Sequence, residues 1–133
     1  MTLAELKLDL VILACAVSAG IHAALVPEHY DEGAGAGISF AVATALLAAV
    51  AVVVTRRPSP PALLATATLF AGLIAAYVLA VTSGIPVIHP ERESVDGLAL
   101  FTKVVEALGL VLAWRLAALP SHLRLNQPRG QTT

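Results

Sequence analysis

Residues 37–55 read GISFAVATALLAAVAVVVT, nineteen positions without one charged side chain. A helix needs roughly 20 apolar residues to cross about 30 Å of hydrocarbon. The run stops at Arg56-Arg57, and Pro58-Ser59-Pro60-Pro61 follows, a stretch that cannot continue a helix. One membrane span with a tight turn after it is the reading that these residues impose.

Outward from that span the same pattern recurs at 8–26, 61–82 and 98–119. These blocks account for most of the 133 residues and leave no room for a separate soluble domain. The whole chain is 58% hydrophobic and 13% charged, with a mean hydropathy of +0.85. A soluble domain carries about a quarter charged residues. The expected fold is an all-α membrane protein, a single domain built as a four-transmembrane-helix bundle, with 120–133 as a flexible tail. The first span is expected to be retained as a helix, since Lys7 between Glu5 and Asp9 makes a poor basic leader. Pro27 marks its far end, 28–32 reads as a polar loop, and 33–37 reads as a flexible lead into the second span.

Charge placement predicts orientation. Lys7, Arg56, Arg57, Arg115, Arg124 and Arg129 fall on the side that holds both termini and the middle turn. Cytoplasmic loops carry the excess of Lys and Arg, so both termini are expected in the cytoplasm and the protein in the cell membrane. The opposite side is acidic, with Glu28, Asp31, Glu32, Glu91, Glu93 and Asp96, and it carries His29 and His89. A net charge of −1 with no basic stripe argues against nucleic acid as a partner. The expected partners are the lipid bilayer and a second copy or a larger membrane complex. Small residues spaced by four (Ala16, Gly20 and Ala24; Ala41, Ala45 and Ala49; Ala67, Ala71 and Ala75) predict close helix approach along those faces.

Ionisable groups inside a span are costly and require a partner or a purpose. His22 sits about 6 Å below the end of the first span at 1.5 Å per residue, and Lys103 lies at a similar depth in the fourth. Glu106 is one turn deeper, on the same helix face as Lys103, and Asp96 continues that face outward. One reading is a metal or ligand site built from His22, His29, His89 and Glu106, with Glu28, Glu93, Asp96 and Lys103 as further pocket or charge-pair residues. Imidazole and carboxylate donors of this kind suit a divalent Zn, Cu or Fe ion. The structural alternative has His22 bonded to Glu106 or to a backbone carbonyl, and Lys103 either paired with Glu106 or reaching out to the interface. Cys15 reads as a small core residue and Tyr77 as an interfacial or packing aromatic.

Gly20-Ile21-His22-Ala23-Ala24-Leu25-Val26-Pro27-Glu28-His29, and later Thr82-Ser83-Gly84-Ile85-Pro86 with Glu93, Val95, Gly97 and Glu106, resemble a group of small actinobacterial membrane proteins of four helices. The resemblance implies the architecture and attaches no activity to it, and the charged loop around Arg92 departs from the pattern. The functional expectation is a small binding or accessory protein with a polar, outward-facing pocket. A membrane-embedded metal-dependent oxidoreductase and a proton- or ion-coupled transporter subunit are the alternatives.

Overall fold

The computed structural model describes residues 1–119 except 87 and 89, so the expected tail at 120–133 and His89 lie outside the described residues. Among the described residues there are four helices: α1 (Leu3–Glu32), α2 (Ala34–Arg56), α3 (Pro60–Thr82) and α4 (Gly97–Ala117). Each is long and apolar enough to cross a membrane.

The starts of three helices are written locally. Thr2 and Glu5 form a reciprocal capping box, with Thr2 N–H donating to Glu5 Oε2 at 2.6 Å and Glu5 N–H to Thr2 Oγ1 at 3.2 Å. Ser59 caps α3 ahead of Pro60, whose missing N–H costs nothing at a first helical position. Asp96 caps α4 by accepting from Ala99 N–H at 2.7 Å. Gly84 ends the turn after α3 at a φ of 70°, the left-handed region that glycine enters without steric penalty.

Helix α1 is longer than expected at its far end. It passes through Pro27 and includes residues 28–32, and α2 begins at once at Ala34. The polar loop expected at 28–32 is therefore helical, and of the flexible lead expected at 33–37 only Gly33 lies outside a helix. Proline removes one helical hydrogen bond, and membrane helices tolerate this where neighbouring groups hold the backbone. Here His29 steadies the turn just beyond the proline. Its Nδ1–H donates to the Leu25 carbonyl at 3.0 Å, and its ring stacks on Phe40 of α2 with centroids 3.7 Å apart. The hairpin closes tightly on Gly37, where a Cβ would meet the Tyr30 ring and lie 2.8 Å from the Tyr30 Cα.

Around the bundle, α1 packs against α2 and α4, α4 packs against α3, and α2 and α3 touch least. The ring thus closes between the first and last helices. The start of α1, the end of α4 and the α2–α3 turn share one end, which carries Lys7, Arg56, Arg57 and Arg115. The α1–α2 hairpin and the 83–96 segment share the other, acidic end.

The core near the basic end is apolar: Val11, Val54, Ala62, Leu63, Ala67, Ala113, Leu116 and Ala117. Above it Ala14, Cys15, Leu47 and Phe70 form a second layer. Leu13, Leu46, Val53, Leu64, Val78, Val104, Leu108 and Trp114 project outward, which in a bilayer places them against lipid. The small-residue ladders correct an expectation. Ala16, Gly20, Ala24, Ala41, Ala45, Ala49, Ala71 and Ala75 are exposed, and of the nine only Ala67 is buried. Close approach uses Ala14, Ala43, Ala62, Ala113, Ala117 and Gly109 instead. Alanine is so frequent on every face of these helices that spacing alone does not distinguish the packed side.

Candidate functional site

Above the Cys15–Phe70 layer the interior turns polar. Ser18 on α1 and Glu106 on α4 are both fully buried. Ser18 Oγ donates to Glu106 Oε1 at 2.7 Å, and Lys103 Nζ donates to Glu106 Oε2 at 2.6 Å. Lys103 Nζ also lies 3.5 Å from the Leu73 carbonyl of α3 and 5.4 Å from the centre of the Tyr77 ring. Each carboxylate oxygen of Glu106 therefore has a donor, one of them cationic. That arrangement satisfies a charge that water cannot reach. Lys103 is a pairing residue, not one that reaches out to the interface.

His22, 7% exposed, sits one turn above Ser18. Its Nδ1 is 2.8 Å from the Ser18 carbonyl and 3.4 Å from Ser18 Oγ. A carbonyl only accepts, so Nδ1 carries the proton and Nε2 is left as the ring's acceptor when the imidazole is neutral. His22 and Glu106 thus belong to one network through Ser18.

Above this layer opens a cavity of about 490 Å³. His22, Lys103 and Tyr77 line its inner part, Phe40 and small residues of α2 and α3 its sides, and Glu28, Glu32, Arg92, Glu93 and Asp96 its acidic end. Glu106 is not part of its wall; Lys103 and Ser18 seal it off. Tyr77 Oη is buried without a hydrogen-bond partner among the described residues. His29 is held as described above and turns Nε2 toward Glu93 Oε1, 3.4 Å away, and Glu32 Oε2, 4.0 Å away. That contact links the α1–α2 hairpin to the segment before α4, which Glu93 N–H also ties to the Ala80 carbonyl at 3.1 Å.

Of the residues expected to form the site, His22, His29, Glu28, Glu93, Asp96 and Lys103 do meet around one cavity, and Glu106 lies directly beneath it. His89 falls outside the described residues. Among the described residues no three His, Cys, Asp or Glu side chains are grouped to hold a metal ion. His22 and Glu106 are instead joined through Ser18, with Lys103 beside them. A lysine ammonium supplies the positive charge at Glu106 that the metal reading assigned to an ion.

Three contributors were not singled out from the sequence as site residues. Ser18 stands four residues before His22, a spacing that puts both on one helix face. Phe40 had no distinguishing signal among so many apolar neighbours. Tyr77, read as an interfacial or packing aromatic, has its hydroxyl buried inside the bundle. No family model, curated protein or solved structure matches this chain.

Proposed function

We propose that this protein is a small membrane binding protein that holds an organic molecule in the cavity at its acidic end. The observation that carries the reading is the cavity itself. It is about 490 Å³, within the range of small-molecule sites, which are mostly apolar pockets with a few convergent polar groups. His22, whose Nδ1 is held by the Ser18 carbonyl, keeps Nε2 uncommitted, and Ala, Leu, Ile and Phe make up half of the residues around the cavity. The Ser18–Glu106–Lys103 network beneath it is internally satisfied and acts as a rigid floor. An organic ligand suits this lining better than an ion, because no metal-binding trio converges on it among the described residues.

Native mass spectrometry on protein extracted in mild detergent should reveal a bound small molecule. Ala43→Phe, which fills the side of the cavity, and His22→Leu should each reduce its occupancy while the fold persists by circular dichroism. Wild-type protein that carries nothing, and that binds no member of a diverse fragment panel, would overturn the reading.

In the proposed orientation the basic end faces the cytoplasm and the cavity opens outside, following the distribution of Lys and Arg. In a Cys15→Ser background, single cysteines at Asp31 and Ser59 should behave oppositely in intact cells. The first should react with an impermeant thiol reagent and the second should not. The reverse pattern would turn the molecule over.

A further inference from the structure

We propose that the occupant is an organic cation, a protonated amine carried on a compact apolar body; this rests on the binding reading above. Two independent features of the cavity point there.

The first is the sense of its polar atoms. His22 Nδ1 is committed to the Ser18 carbonyl, so a neutral His22 offers only an acceptor to the cavity. Tyr77 also lines the cavity, but its Oη is itself buried and adds no donor to the wall. The one cation deep in the wall, Lys103, already donates to Glu106 and lies against the Leu73 carbonyl. The deep wall therefore offers the His22 acceptor, while two of the three Lys103 N–H groups are already engaged. A ligand bearing N–H donors is its complement, and a carboxylate or phosphate is not.

The second is charge. Four carboxylates line the acidic end (Glu28, Glu32, Glu93 and Asp96) against Arg92 and the titratable His29. Lys103 and Glu106 cancel one another. Even with His29 protonated, that end retains an excess of negative charge, which raises the local concentration of cations. Between them lie Leu25, Phe40, Leu73, Ala76 and Ala80, apolar surface for the body of the ligand. The cavity is bordered by α2 and α3, the pair of neighbours that touch least, so a ligand there is not in competition with tight helix packing.

The test uses the full-length protein in lipid nanodiscs and three probes with one cage: 1-adamantylammonium, 1-adamantanol and 1-adamantanecarboxylate. Calorimetry or ligand-observed NMR should rank the ammonium tightest, by about tenfold over the alcohol, the scale of two partly screened ion pairs. Glu28→Gln combined with Asp96→Asn should remove most of that preference, bringing the ammonium's affinity down toward that of the alcohol measured on the same variant. Asn also serves as a helix cap, so α4 keeps its start. Equal or tighter binding of the alcohol or the carboxylate would overturn the cation assignment and leave the binding pocket standing. Ammonium selectivity that survives the double substitution would also overturn it. Failure of all three probes would overturn the assignment, and together with an empty wild-type protein in native mass spectrometry would remove the pocket reading too.

Discussion

Lys103→Met should destabilise the protein by about 3–5 kcal/mol, the cost of leaving one member of a buried ion pair without its partner. The reason is the isolation of Glu106. Its side chain is 0% exposed and its Oε2 receives Lys103 Nζ at 2.6 Å. Without the ammonium, Ser18 is the only remaining donor that the described contacts give it, and one hydroxyl does not balance a carboxylate in an apolar bundle. The reverse change, Glu106→Gln, should cost less. Lys103 lines the cavity and retains 17% side-chain exposure, so water can reach the freed ammonium. The double variant with both changes should regain most of the stability lost by Lys103→Met, because neither charge remains. Unfolding by heat or by a denaturing detergent, followed by circular dichroism, measures all four proteins. Strictly additive effects would show that the two groups do not support one another.

The asymmetry between these two variants also shows what the sequence reveals and what it hides. The spans were legible because hydrocarbon imposes a length and an absence of charge, and residues 37–55 meet both. The i, i+3 spacing of Lys103 and Glu106 was legible as a common face. Whether the lysine would pair or reach outward was not, because both outcomes fit the same spacing. The choice depends on Ser18 and the Leu73 carbonyl, which come from other helices. The α1–α2 hairpin misled for a related reason. Pro27 and the acidic run after it carry local signals of a helix end, and those signals lose to the stacking of His29 on Phe40, a contact made only once the hairpin has formed.

The inward face of each helix was obscured by the solvent itself. In water, apolar residues mark the core; in a bilayer they cover both sides, and Leu13 or Val104 outside is as apolar as Val11 inside. What does mark the interior is the minority of polar groups. Ser18, His22, Thr66, Thr102 and Glu106 are all buried, and a line through Cys15, Ser18, His22 and His29 traces the inner face of α1. Thr66 and Thr102 hold their own hydroxyls by donating to Ala62 and Leu98 carbonyls four residues back, at 2.9 and 2.8 Å. In such a chain the polar pattern is a better guide to packing than the small-residue pattern, whose three ladders lie largely on the outside.

Gly109 provides the sharpest test of where close packing occurs. A Cβ built there would lie 2.5 Å from Phe70 Cε2, 2.9 Å from Phe70 Cζ and 3.0 Å from the Ala14 Cβ. Phe70 is fully buried, so its ring cannot give way by swinging out of the bundle. Gly109→Ala should therefore destabilise the bundle by about 1–3 kcal/mol through overpacking, and Gly109→Val by more. Gly20→Ala and Gly72→Ala are the controls, because beyond the adjoining residues and backbone of its own helix a Cβ at either position would meet nothing within 4 Å. On helix propensity each should be neutral or stabilising by up to about 1 kcal/mol. The same chemical change thus carries opposite signs at positions that look alike in sequence. Phe70→Leu withdraws the ring edge that the new methyl would strike. Added to Gly109→Ala, it should cost less than the sum of the two single changes. A double variant at the full sum would mean that the methyl is resisted elsewhere, and the α1–α3–α4 contact at Ala14, Phe70 and Gly109 would not be what brings these helices together.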